Sequence, residues 1–293
     1  MNKEAMNQLI QEALYKRLGE GFHISIHEVL KTNIKLDGLT ISQVGRRISP
    51  TIYLEAFYKD LDNGIPLDDV VNEILRTYYE SEICPWNFDI TAIRDFNCIK
   101  DKLHVGLINR HSNKELLRDI PHLLFLDDFA VTVRCAVDMT AEGTASFLVQ
   151  NNHLKMWQIE QEYLISYAIQ NTRKLLGVDL VPMESIIQKI SPEMAGCDDF
   201  SCPPLWVMTN KRQSAGAATV LFDDILRNFA QKHGNFYVIF SSVHEVLLMP
   251  TPDNSDIDTI TKMNQEVNAT QVQPNEILGT KAYYYHKVRG FVL

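Results

Sequence analysis

Apolar residues recur along this chain with two periods, and the two alternate often enough to predict a mixed architecture. Over Asn2 to Leu18, the positions Met6, Leu9, Ile10, Ala13, Leu14 and Leu18 fall on one helical stripe. Gly19 supplies the stop. His23 to Lys31 and Ile34 to Ser42 alternate loosely, the latter around Asp37-Gly38, and predict a small strand region. Ser49-Pro50 has the form of a helix cap followed by a first-turn proline, with Ile52, Ala56 and Phe57 along the face and Asn63-Gly64 at the end. Leu67 to Glu80 predicts a strong helix, because Val70, Val71, Ile74, Leu75, Tyr78 and Tyr79 line one side.

Beyond Lys102 the period shortens. Leu103, Val105 and Leu107 alternate as in a strand, and a short helix is predicted over Asn113 to Ile120. Phe129, Val131, Val133, Cys135 and Val137 alternate cleanly, and Ala145 to Val149 follows a turn at Gly143, which predicts an antiparallel hairpin. Asn152 to Leu176 reads as helix with a break near Trp157, ended by Gly177. Ser191 to Pro204 is the one obvious loop. Leu205 to Thr209 is a short strand. A long helix is predicted from Ala215 to His233, capped by Ser214 and stopped by Gly234. Strands follow at Phe236 to Phe240 and Glu245 to Met249. Ser255 and Asp258 have capping-box spacing before a helix to about Asn268, and Ala282 to Val288 reads as a terminal strand.

Helices and strands mixed in this order, with some short strand-to-strand links, predict an α+β fold with an antiparallel or mixed sheet and helices packed on it. A mainly helical region with a small strand pair is expected over 1–100 and an α+β region over 101–293. The two could also form one continuous domain. No repeat of solenoid length stands out. A local echo, His27-Glu28-Val29-Leu30 and His244-Glu245-Val246-Leu247, is what chance supplies in a chain this long.

Composition narrows the function classes. The 293 residues are 45% hydrophobic and 22% charged, as in ordinary globular proteins. The formal net charge of -9 argues against a protein that grips nucleic-acid backbones, and the pairs Arg46-Arg47 and Lys211-Arg212 are too small to change that. No apolar run approaches the roughly 20 residues of a membrane span. The first segment reads as an amphipathic helix and not as a signal peptide. Five irregularly spaced cysteines do not form a disulfide framework, so a reducing cytoplasm is the expected compartment.

The best-marked chemical segment is Ser241-Ser242-Val243-His244-Glu245-Val246. Its His-Glu pair is not a zinc-protease motif, because the second histidine would have to stand where Leu248 is. A hydrolase-like site is conceivable from Ser242, His244 and Glu245, with Asp127 assisting, although neighbours on a strand point to opposite faces. The plainer reading is a polar turn between core strands. Asp127-Asp128 could supply oxygen ligands to a cation, but a strand-edge charge explains them as well. Cys197 and Cys202 lack the second pair that a structural zinc needs, so no metal and no cofactor is expected. No glycine-rich phosphate loop is present. Tyr283, Tyr284 and Tyr285 could stack bases or receive a partner strand, but such a strand more often closes a sheet. Trp157 and Trp206 read as core.

Several segments together carry a likeness: Ser49 to Leu54, Leu126 to Val137, Asn152 to Trp157, Asn171-Thr172, Thr209-Asn210 with Gly216-Ala217-Ala218, and Ser241 to Val246. Their order resembles the uncharacterised Firmicutes domain-of-unknown-function 5688 family, found in gut Firmicutes and often near mobile elements or phage genes. The likeness covers nearly the whole chain. The last third also resembles an uncharacterised Bacillus-type domain-of-unknown-function family. The resemblance implies a cytoplasmic bacterial setting and gives no residue a role. Two functions are therefore carried forward. The first is a non-catalytic interaction protein with a protein partner and no membrane or nucleic-acid target. The second is a hydrolase-like or nucleotide-processing enzyme around His244.

Overall fold

The computed structural model describes residues 2–43, 49–83, 90–139, 144–190, 204–251 and 256–292. The fold is α+β, and the paired strands are antiparallel throughout. The chain forms two compact units, Met1–Asn87 and Phe88–Leu293.

In the first unit, α1 (Lys3–Leu18) starts where the Asn2 side chain accepts the Ala5 N–H. It buries Met6, Ile10 and Leu14. Strands β1 (Phe22–Lys31) and β2 (Ile34–Gln43), ten residues each, form a hairpin, and β3 (Thr51–Tyr53) adds to β2. Helices α2 (Glu55–Asp62) and α3 (Leu67–Ile83) complete the core with Phe57, Tyr58, Val70, Val71, Ile74 and Tyr78. The predicted helix start at Ser49-Pro50 is displaced. Thr51 and Ile52 instead pair with Thr40 and Leu39, and the helix waits until Glu55. Two successive β-branched residues favour the strand, and the strand buries Ile52. Asp37-Gly38 lies within β2 and not at a turn.

The second unit holds two sheets. One has the order β4 (Leu103–Asn109), β6 (Phe129–Met139), β5 (His122–Phe125), with β7 (Thr144–Leu148) also on β6. The other has six strands in the order β13 (Gly290–Val292), β12 (Ala282–His286), β10 (Phe236–Ile239), β11 (Val246–Pro250), β9 (Trp206–Thr209), β8 (Asp179–Pro182). Short α4 (Phe96–Ile99) precedes β4. Helices α5 (Asn151–Trp157) and α6 (Gln161–Leu176) follow β7, with Gln158 left-handed between them, so the break expected at Trp157 is present. Further α-helices among the described residues are α7 (Met183–Ile190), α8 (Asp223–His233) and α9 (Ile257–Gln271).

One hydrophobic cluster joins the two sheets. Val105, Leu107, Val131 and Val133 meet Phe236, Val238, Phe240 and Leu248, together with Ala168 of α6 and Phe229 of α8. The alternate residues of β10, Tyr237 and Ile239, join Ile260 of α9 on the other face of the six-stranded sheet. Covered on both faces, β10 reads as the unbroken apolar run Phe-Tyr-Val-Ile. Each such buried side chain stabilises the fold by about 1.5–3 kcal/mol before entropy is counted.

The long helix predicted over 215–233 is two pieces. A 3-10 helix runs over Gly216–Leu221, Phe222 leaves helical geometry at ψ 81°, and α8 starts at Asp223. Gly216 to Val220 are all buried, so this stretch has no solvent face for a regular amphipathic helix to present. Ser214 is not the cap. Ala215 holds that place, at φ 50°. The terminal strand is shorter than predicted, and β13 returns to pair with it. The loop carrying Cys197 and Cys202, and the Ser255 cap, lie outside the described residues.

Candidate functional site

The segment from Ser241 to Glu245 connects β10 to β11 and pairs with a stretch near Ile277. Val243 N donates to Glu276 O at 2.8 Å, and Leu278 N donates to Ser241 O at 2.9 Å. On its other side, Thr209 Oγ1 donates to His244 O at 2.7 Å, and Ala217 N donates to Val243 O at 3.2 Å. Three of the segments singled out in the sequence, Thr209-Asn210, Gly216-Ala217-Ala218 and Ser241 to Glu245, therefore meet at one place. Gly216 is there because the Thr209 hydroxyl and the His244 carbonyl fill the space that a side chain would need.

The side chains at this junction are engaged in a particular way. Ala215 N donates to His244 Nδ1 at 3.2 Å. An amide can only donate, so Nδ1 is the acceptor and the ring proton sits on Nε2. That nitrogen faces Glu276 Oε1 at 3.4 Å. The acid partner of His244 is thus Glu276 and not Glu245. Ser242 Oγ accepts the His244 N–H at 3.0 Å. Among the described residues no hydrogen bond joins Ser242 Oγ to a ring nitrogen of His244. Burial pushes the Glu245 carboxyl up; His244, then the Ser242 hydroxyl, oppose the rise, and Glu276 adds to it. Ser241 Oγ donates to Asn268 Oδ1 at 2.7 Å, and Asn268 Nδ2 donates to Gly279 O at 2.7 Å. Burial of Ser241, Asn264 and Asn268 is thus bound up with fixing this loop.

Asp127 lies elsewhere in the contact network. Leu126 and Asp127 both have positive φ, 50° and 56°, and with Asp128 form the three-residue turn between β5 and β6. The Asp127 carbonyl accepts from Arg110 Nη1 at 3.2 Å. No hydrogen bond or ion pair among the described residues joins it to Ser242, His244 or Glu245. Its neighbour Asp128 gathers the partners: His111 Nε2 at 2.9 Å, Lys281 Nζ at 3.0 Å, and the Tyr283 hydroxyl, which donates. Burial alone would raise the Asp128 carboxyl, but the bonds from Tyr283, Lys281 and His111 outweigh it and hold the pKa at about 2. Burial, then the Asp128 carboxylate, raises the Tyr283 hydroxyl. Tyr283 therefore serves as a donor to Asp128, a role that sequence inspection of the three tyrosines did not separate from stacking or edge pairing.

Asn171-Thr172 also acquires a purpose. Strand β4 has an open edge, since β6 occupies only its other side. Thr172 Oγ1 accepts the Val105 N–H at 2.9 Å, and Asn171 Nδ2 donates to Leu103 O at 2.7 Å. Helix α6 thereby closes that edge with side chains.

Among the described residues, no group of three or more His, Cys, Asp or Glu side chains is placed to hold a metal ion. No helix among them is long and apolar enough to cross a membrane.

What stands out is an α+β protein in which Thr209, Asn171, Thr172 and Asn268 tie separate backbone segments together. The chain belongs to the family of unknown function DUF5688, whose family model matches residues 3–287. No curated protein and no solved structure matches the chain significantly.

Proposed function

We propose that this protein works by binding another protein, with helix α7 as the contact element, in the cytoplasm of a bacterium or of a mobile element or phage that it carries. The observation that carries this reading is the apolar stripe Met183, Ile186, Ile187, Ile190. These positions are i, i+3, i+4 and i+7, the spacing by which one helix face enters a groove. Yet no residue of α7 is buried, and Ile187 and Ile190 are 44% and 76% exposed. A stripe of this kind normally faces a core, and an exposed one marks an interaction surface.

The junction around His244 fits the same reading. Its ring nitrogens are occupied by Ala215 and Glu276, and the Ser242 hydroxyl bonds to the Glu245 carboxyl, with no hydrogen bond to the imidazole among the described residues. The Ser-His pairing that ordinarily activates a serine nucleophile is thus missing. The hydrolase-like alternative, with Ser242, His244, Glu245 and Asp127, has the partial exposure of His244 in its favour. The cytoplasmic setting draws support from Cys135, a buried free thiol.

Affinity capture from the native host tests the proposal. A protein retained by the wild-type chain and released by Ile187→Glu with Ile190→Glu is the expected result. Turnover of a small molecule that is lost in Ser242→Ala, with no retained protein, would sink it.

A further inference from the structure

The four-stranded sheet has a second face, turned away from the shared hydrophobic cluster. Register places His104 opposite Arg134, Gly106 opposite Thr132, and Ile108 opposite Ala130 on that face. One end is apolar, where Ile108 and Ala130 pack with Leu117 and Ile120. The other end is polar, and two of its groups are unusual.

His104 is only 4% exposed, and its Nδ1 has no hydrogen-bond partner. A buried polar atom left in this state costs about 1–3 kcal/mol. Arg134 is part-buried. Its Nε donates to Ser146 Oγ at 2.9 Å, and its Nη2 donates to Ser146 O at 3.4 Å. No carboxylate among the described residues pairs with it. A buried guanidinium is ordinarily balanced by an acid, because desolvation of an unpaired charge is expensive. In a chain of net charge -9 an acid was not hard to supply. Ser146 Oγ, having accepted from Arg134, keeps its own O–H to donate.

We propose that Arg134, Ser146 and His104 form a binding site for the phosphate group of a small molecule. The bare oxygens of a phosphate monoanion accept from the guanidinium and from the Ser146 hydroxyl. Its remaining O–H donates to His104 Nδ1, or passes its proton to it. Either way the orphaned nitrogen and the unpaired charge are satisfied together. With the ring proton on Nε2, Nδ1 is an acceptor, and a carboxylate or a sulfate, which brings no proton at neutral pH, leaves it unpaired. Burial favours the neutral ring, a hydrogen bond to the Lys102 backbone partly opposes it, and the neighbouring Arg134 adds a smaller lowering; the His104 pKa is lowered to about 4. This inference does not depend on α7.

The test is a titration of full-length, ring-labelled protein, followed through the histidine resonances by NMR at neutral pH. Inorganic phosphate and glycerol phosphate are the probes, with sulfate and acetate for comparison. The His104 signal, assigned by its loss in His104→Gln, is expected to shift saturably with phosphate. Sulfate and acetate should bind at least about tenfold more weakly, as a site built to accept a proton donor discriminates against analogues lacking one. Arg134→Gln should weaken phosphate binding by at least about tenfold, and Ser146→Ala, which removes only the hydroxyl, by several-fold. Tighter binding of glycerol phosphate than of phosphate assigns the site to a monoester, and the reverse to the free ion. An unmoved His104 signal overturns the proposal. So do equal responses to sulfate or acetate, or phosphate binding unchanged in Ser146→Ala and in Arg134→Gln.

Discussion

At Gly216 the backbones of three segments come within contact of one another. A Cβ built there would lie 2.1 Å from Thr209 Oγ1, 2.5 Å from His244 O and 2.7 Å from Asn210 N. Two of these are backbone atoms and cannot swing aside. Gly216→Ala should therefore destabilise the protein by about 1–3 kcal/mol, the usual cost of overpacking, read as a lower urea midpoint. An unchanged midpoint would mean that the junction is looser than its distances imply. Asp128 makes a second prediction. Its carboxyl is depressed in the folded state, so the stabilisation it gives is present above the unfolded value and is lost as pH falls through about 2. Acid unfolding followed by circular dichroism should show Asp128→Asn less stable than wild type at pH 6. The gap is about 1 kcal/mol after allowance for solvent screening, and it closes near pH 2. A gap constant with pH would assign the effect to packing. His244 and the paired aspartates were legible as marked positions in the sequence. Their partners were not, because Glu276, Lys281 and Tyr283 are distant in sequence and reach them only through the tertiary fold.

Among the elements, those with a clean period agree with expectation, and those whose conformation is imposed by neighbours do not. Helix α1, strand β4 and the β6–β7 pair follow from spacing alone. Strand β3 and the 3-10 turn at Gly216 do not, since their geometry answers to pairing with β2 and to burial on all sides. Helix α7 and strand β8 carried no expectation, because Val178 to Ile190 mixes the two periods within a few residues. The packing of α6 on the open edge of β4 gives a prediction at this scale. Thr172→Val keeps the shape but leaves the buried Val105 N–H unpaired. The expected loss is about 1–3 kcal/mol, with amide exchange at Val105 accelerated by more than at its neighbours in β4. Uniform acceleration along the strand would contradict an edge-closing role.

For the whole molecule, the α+β class and its antiparallel pairing were readable from the mixture of periods and the short connections. Strand order was not, since β8 to β13 pair out of sequence. Function was the least legible, because the marked residues bind the chain to itself and the exposed stripe on α7 has no chemical signature. If α7 is a docking helix, its outer side chains contribute nothing to folding and much to association. Exposed substitutions generally change stability by less than about 0.5 kcal/mol, whereas a buried interface anchor is worth about 2 kcal/mol or more. The most direct measurement is the Kd of the captured host protein for the wild-type chain and for Ile187→Glu with Ile190→Glu, alongside the unfolding midpoint of each. A Kd weaker by at least about 100-fold with matching midpoints is the expected result. Equal Kd values for the two chains would contradict it.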